Sequence, residues 1–169
     1  EGLENLVTPL LPSLTKQVSA SSLIRQIYER SGVLVEQAIG KYGFAHRALH
    51  DYLAANHIAE QGLDSLLIEH ASEERWREVI LIAIGLVSPK HRANTLLESL
   101  IRQSDESPAS LAVAGWSLAE DIQVRDDLRA SVKNKILEKL TKVEAASDFS
   151  LLSDALVDTD APALHDWIN

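Results

Sequence analysis

Apolar residues recur every three or four positions along most of this chain, which is the spacing of an amphipathic α-helix. The stripes predict helices over about 22–31, from Ala48 to a stop at Gly62, around Leu63–Leu67, and over 76–87. The four clearest stripes are Leu23, Ile24, Ile27 and Tyr28; Ala48, Leu49, Tyr52, Leu53, Ala55 and Ala59; Ala93, Leu96, Leu97, Leu100 and Ile101; and Leu128, Val132, Ile136, Leu137 and Leu140.

One short stretch breaks the helical spacing. Val33–Gln37 and Tyr42–His46 are β-prone runs, and they are separated by Ala38–Lys41. Two such runs joined by a four-residue loop that contains glycine predict a β-hairpin. The second strand would then end at His46, and a helix would follow it directly.

The predicted fold is mainly α-helical and has two parts. Residues 1–62 are expected to form a partial winged-helix module of helix, hairpin and helix. Residues 63–169 are expected to form HEAT-like antiparallel helix pairs, because each pair can bury its stripe only against the next pair. We expect these pairs at 73–103 and 108–142, with a third running from Phe149 to Trp167. A compact irregular helical bundle is the alternative.

Local signals add detail to the second part. Ser88-Pro89 and Ser107-Pro108 each place a proline after a capping residue, which predicts two helix starts. Trp76 and Trp116 are expected to be buried between helices. A buried Trp76 would make Trp76→Ala cost about 3–5 kcal/mol of unfolding free energy.

The chain is acidic, and the acidity is unevenly distributed. It has 16 basic and 25 acidic side chains, a net charge of −9. Residues 1–62 hold five basic and six acidic side chains, whereas residues 63–169 hold eleven and nineteen. This balance repels nucleic acid and anionic membranes. The ordinary interpretation of the acidity is a solvated exterior, and the alternative is an acidic docking face for a basic partner.

Several classes of protein are disfavoured by what the chain lacks. It has no cysteine, which removes disulfides and thiolate chemistry and fits a cytoplasmic location. Its longest apolar run, Val79–Val87, is far shorter than the roughly 20 residues of a membrane-spanning helix. Because the sequence begins at Glu1, holds no methionine and shows no signal peptide, we expect it to be a piece of a longer protein.

No catalytic or metal-binding motif is visible. His46 and His50 are four residues apart, but the segment reads H-R-A-L-H instead of H-E-x-x-H, and His57 adds no convincing third ligand. Gly40-Lys41 is followed by tyrosine and lacks the upstream glycine of a phosphate-binding loop. The sequence therefore predicts no catalytic residue, metal or cofactor in this chain, and no enzyme activity of its own.

The segment Tyr28–Ala55 resembles the end of the winged-helix region in NACHT-family signalling NTPases. It reads YERSGVLVEQAIGKYGFAHRALHDYLAA, and the family shows "ERSGLLVE", a hairpin and "F-x-H-x-S/T-F-Q-E-Y-L-A-A" in the same order. Glu74–Leu86 and Leu111–Leu140 resemble the helical region that follows the NTPase core in bacterial members.

The resemblance implies a regulatory function in signalling or defence. In this family the NACHT module holds ADP, with Mg in the nucleotide cycle, and a winged-helix histidine approaches the β-phosphate in the closed form. Ligand detection then permits exchange for ATP and oligomerisation. By matching position the histidine is His46, and the expected partners are its own NACHT domain or other proteins. The chain departs from the family where Ala48, Leu49, His50 and Asp51 replace the usual hydroxyl, aromatic, amide and glutamate residues.

Simple chemistry supports an anion near His46, since an imidazole would precede helical N–H groups that carry partial positive charge. The structural alternative is a partly buried ring that is hydrogen-bonded to the backbone. Two other functions stay open: a helical adaptor that docks another protein without any nucleotide role, and a DNA-binding winged helix. The DNA-reading side chains would be Arg25, Gln26, Tyr28 and Arg30, with Lys41 at the wing tip.

Overall fold

The computed structural model describes residues 3–14, 18–87, 91–119 and 124–168. Over this part of the chain it is mainly α-helical with one small antiparallel sheet, which confirms the predicted fold class. Short 3-10 turns lie at Thr8–Leu10 and Glu74–Trp76. The helices and strands are α1 (Leu3–Val7), α2 (Leu11–Leu14), α3 (Ala20–Ser31), β1 (Leu34–Ala38), β2 (Lys41–Phe44), α4 (Arg47–Gln61), α5 (Asp64–Glu69), α6 (Arg77–Leu86), α7 (His91–Gln103), α8 (Pro108–Ser117), α9 (Asp126–Leu140) and α10 (Ala146–Ile168).

The chain forms two compact units, Glu1–His50 and Asp51–Asn169. The sequence placed the boundary after Gly62, twelve residues later. The two units divide within α4, between His50 and Asp51, and not at the end of this helix. Only the first turn of α4 belongs to the first unit, whereas Ala55, Ile58 and Ala59 belong to the core of the second.

In the first unit, α3 is delimited by local signals. The Ser19 hydroxyl accepts a hydrogen bond from the backbone N–H of Ser22 at 3.3 Å, and Gly32 ends the helix with a left-handed φ of 64°. The predicted helix over 22–31 is confirmed, and it begins two residues earlier. Ile24 provides its most buried large side chain.

The hairpin is confirmed, but its turn is tighter than predicted. Leu34 pairs with Phe44 and Ala38 with Lys41, so that the turn consists of Ile39 and Gly40 only. Gly40 adopts a φ of 69°, which a two-residue hairpin turn favours, and an irregularity between Glu36 and Ala38 absorbs the extra residue. The prediction of a four-residue loop was therefore wrong, and so were the strand ends at Gln37 and His46.

The second unit is built around α8. Seven of its ten residues are buried, and it contacts α6, α7, α9 and α10. The helices α6, α7 and α8 each contact the next helix and the one after it, and α9 contacts α10. The pairs predicted at 73–103 and 108–142 correspond to α6 with α7 and α8 with α9, and α10 begins at Ala146, just before the predicted start.

The buried faces of α4 and α9 differ from those that the sequence predicts. Tyr52 and Leu53 of α4 are 46% and 43% exposed, and Leu137 of α9 is 43% exposed, although all three were assigned to buried stripes. Asp51, a charged residue, is buried instead. The buried positions of α4 are thus Asp51, Ala55, Ile58 and Ala59, which also follow helical spacing.

The two tryptophans assigned to the core are only half-buried. The Trp76 ring stacks on the His70 ring with centroids 4.3 Å apart, and the Arg77 guanidinium lies 5.0 Å from the Trp116 ring centroid. The prediction that both are fully buried is therefore wrong, although both pack against the core cluster. Ser107-Pro108 does start α8, whereas Ser88-Pro89 lies outside the described residues.

Candidate functional site

His46 lies at the start of α4, two residues beyond the end of β2. The backbone N–H of Ala45 donates to the Val33 carbonyl at 2.8 Å, which extends the pairing of the hairpin slightly. The carbonyl of His46 then accepts hydrogen bonds from the backbone N–H groups of Leu49, at 3.2 Å, and His50, at 3.4 Å. His46 is therefore the residue that caps the helix with its carbonyl, and it is not the last residue of a strand.

The ring of His46 is exposed. Within the described ranges no residue hydrogen-bonds to it, so the alternative of a partly buried, backbone-bonded ring is wrong. The first N–H groups of any helix have no partner inside the helix and carry partial positive charge. The imidazole of His46 is thus available, beside such groups, to a group from outside this chain.

A cleft of about 620 Å³ lies next to this position in the first unit. Arg47 and His50 line it together with Phe44, and the rings of Phe44 and His50 are 5.6 Å apart at 60°. A guanidinium and an imidazole beside an aromatic wall can bind a small anionic group that also has an apolar part. His46 is not among the lining residues, so the structure brings Arg47 and His50 to the cleft and leaves His46 at its outside.

The side chains assigned to DNA reading are all exposed: Arg25, Gln26, Tyr28, Arg30 and Lys41. Two contacts draw them toward the protein itself. The guanidinium of Arg25 lies 3.9 Å from the Glu29 carboxylate, and the ring of Tyr28 contacts that of Tyr42 with centroids 5.8 Å apart. Exposure alone does not favour DNA here, because a neighbouring carboxylate weakens the phosphate contacts that supply most non-specific affinity.

In the second unit, Glu73 and Asp127 have shifted pKa values because each carboxylate accepts hydrogen bonds from a neighbouring basic side chain. A hydrogen bond from His70, with a second one from Arg75, lowers the pKa of the Glu73 carboxyl. Arg125 lowers the pKa of the Asp127 carboxyl by a charge-assisted hydrogen bond of 3.1 Å. These pairs fix local structure.

Among the described residues, no three histidine, aspartate or glutamate side chains come together as a metal site would require. In the same part of the chain no helix has both the length and the apolar character needed to cross a bilayer. No protein-family model, curated protein or solved structure matches this chain.

Sequence reasoning singled out His46 but missed Arg47 and His50 as cleft residues. The sequence presents His50 as a rejected zinc ligand and as a departure from the family pattern, and neither interpretation places it in a cleft. The signal that could have found it is its position one turn into a helix that follows an aromatic strand residue, Phe44, because the first turn of such a helix stays beside the strand end.

Proposed function

We propose that this chain is a non-catalytic regulatory segment of a NACHT-type signalling NTPase. Its first unit would be the winged-helix end that responds to nucleotide state, and its second unit a HEAT-like stack that engages a partner. The observation that supports this proposal is the exposed imidazole of His46 at the N-terminus of α4. That position suits a phosphate contributed by another domain of the intact protein.

The expected energy of such a contact is modest. A charge-assisted hydrogen bond to phosphate contributes about 1.5–3 kcal/mol. A helix N-terminus adds roughly 0.3–1 kcal/mol toward an anion. Together they are sufficient to hold a closed form whose free energy is close to that of the open form.

We expect His46→Ala, made in the intact parent protein, to release ADP at least about tenfold faster, because the lost hydrogen bond contributes at least about 1.5 kcal/mol and about 1.4 kcal/mol is a factor of ten. Basal signalling activity should rise, since the closed form is less populated. The measurement is the dissociation rate of a fluorescent ADP analogue from the purified parent protein, together with its activity without stimulus.

His57→Ala is the matched control, because His57 is an exposed histidine further along the same helix. It should leave both readouts unchanged. If His46→Ala releases the analogue no faster than His57→Ala, the result contradicts the proposal that His46 contacts the nucleotide.

The second candidate function is an adaptor that docks another protein without a nucleotide role. It is favoured by the second unit, whose helices share one continuous core and leave a charged exterior. Stacked helices of this kind present long surfaces to partners. Unchanged ADP release in His46→Ala, combined with binding of a partner by the second unit, would support the adaptor.

A further inference from the structure

The segment at the end of α9 is basic, although the region around it in the sequence is acidic. Four of the seven lysines in the chain lie within residues 133–142, which hold a single acidic residue, Glu138. The remainder of the region after residue 62 is strongly acidic. A partner that is attracted by this short segment must therefore carry negative charge.

Two of these lysines share one carboxylate. Lys135 and Lys139 are one helical turn apart and only 25% and 27% exposed, and their ammonium groups lie 3.3 and 3.7 Å from Oδ1 of Asp105. Asp105 itself is 71% exposed, in the turn after α7. Lys135, and to a smaller degree Lys139, lowers the pKa of the Asp105 carboxyl. Lys135 also donates to the Ile101 carbonyl at 3.4 Å. The carboxylate that the two partly desolvated lysines share is one that solvent, or another molecule, can reach.

These residues border a cleft of about 540 Å³. Its apolar lining consists of Pro108 and Val143, which are half-buried, and Leu152, which is fully buried. The remaining charged pair at its rim is Lys142 with Glu138, whose atoms are 2.6 Å apart. The lining therefore holds three lysines against two carboxylates, and it combines an excess of positive charge with an apolar surface.

We propose that this cleft docks an acidic segment of a partner protein. One carboxylate of that segment would join or replace Asp105 between Lys135 and Lys139, and a neighbouring aliphatic side chain would pack against Pro108 and Val143. This inference deepens the partner engagement assigned to the second unit in the proposed function, and it names the chemistry of the partner. The apolar walls favour a peptide over a free anion, because only a peptide buries aliphatic surface in the same place.

The test begins with a phage-displayed library of random twelve-residue peptides, selected on the whole chain at low ionic strength. We expect the recovered peptides to carry aspartate or glutamate next to leucine, isoleucine or valine. A selection that returns peptides without an excess of acidic residues would overturn the proposal.

The best recovered peptide is then measured by fluorescence anisotropy. Its affinity should fall about tenfold for Lys135→Gln/Lys139→Gln, because a charged contact of about 1.4 kcal/mol is lost. The control Arg30→Gln/Lys41→Gln removes the same charge from exposed positions of the first unit, and its affinity should stay within about twofold of wild type, as expected for distant surface charges. Equal losses in both double variants would mean that net charge alone attracts the peptide, which contradicts a specific cleft.

Competition with inorganic phosphate at matched ionic strength tests whether the cleft binds a free anion instead of an acidic peptide. If phosphate displaces the peptide at millimolar concentration while chloride does not, the cleft is a phosphate site and the peptide proposal fails. Failure here leaves ADP release in His46→Ala untouched, so the two proposals are tested separately.

Discussion

At the scale of single residues, the neighbours decide what a position tolerates. Gly85 and Gly115 both lie inside helices of the second unit, α6 and α8. A Cβ on Gly85 would meet no heavy atom within 4 Å. A Cβ on Gly115 would lie 3.0 Å from Cβ of Ala155 and 3.2 Å from its backbone oxygen. An added methyl group therefore has open space at Gly85, whereas at Gly115 it would press against Ala155 of α10.

We predict that Gly115→Ala lowers the free energy of unfolding by about 1–3 kcal/mol, because α8 cannot approach α10 as closely with an added methyl group. Gly85→Ala is the matched control and should raise it by up to about 1 kcal/mol, since alanine favours an open helical position. Urea unfolding followed by far-UV circular dichroism measures both. Equal midpoints for the two variants would contradict the close crossing of α8 and α10.

Residue-level outcomes were only partly predictable from the sequence. The limits of α3, at Ser19 and Gly32, depend on atoms only a few residues away, and the sequence predicted this helix to within two residues. The burial of Asp51 and the exposure of Leu137 were not predictable, because they depend on which neighbouring helix covers each face. An apolar stripe shows that a helix has a buried side. A stripe of five or six residues does not decide which of the residues at its edges face the core.

At the scale of elements, helices were predicted more closely than the hairpin. Helix stripes extend over several turns, whereas the ends of β1 and β2 depend on one turn and one irregularity. That error moved His46 from a strand end to a helix start. The change matters for the candidate site, since an exposed position before a helix can meet an external anion and a strand position paired in a hairpin is more confined.

One side chain ties three helices of the second unit together. Arg92, at the start of α7, donates from Nε to Oδ2 of Asp64 at 3.1 Å and from Nη2 to Oδ1 of the same carboxylate. Its Nη1 donates to the carbonyl of Ala59 near the end of α4 at 3.0 Å. Asp64 begins α5, so the planar guanidinium spans α4, α5 and α7.

We predict that Arg92→Lys lowers the free energy of unfolding by about 1–3 kcal/mol, although the charge is kept, because an ammonium cannot form the paired bonds of the guanidinium. Thermal unfolding in low and high salt provides the measurement. Arg125→Lys serves as the control, since Arg125 is 54% exposed and contacts carboxylates at the surface, where ion pairs contribute little. An Arg92→Lys midpoint equal to that of Arg125→Lys would show that the three-helix contact is not stabilising.

At the scale of the whole molecule, the two units differ strongly in their buried apolar surface. In the described part of the first unit, the buried apolar residues are Ala20 and Ile24. Among the described residues of the second unit, 24 buried residues form one core cluster that extends from α4 to α10. The sequence predicted two parts of different kind but could not predict the point of division, because α4 has an uninterrupted helical pattern across it. Function is a separate inference, since a helical fold by itself supports many activities.

This inequality leads to a prediction about local stability. A two-stranded hairpin with little core opens locally at a small free energy, whereas a central helix exchanges its amide hydrogens only when most of the unit unfolds. We therefore expect the amides of β1 and β2 to exchange at least about tenfold faster than those of α8 in native-state hydrogen exchange read by mass spectrometry. Low concentrations of urea should accelerate exchange in α8 steeply and in the hairpin hardly at all, because local opening exposes little surface. The same urea dependence in both elements would mean that the chain opens as one cooperative body. Independent opening would instead let the segment that carries His46 rearrange while the core of the second unit stays folded, which the proposed regulatory function requires.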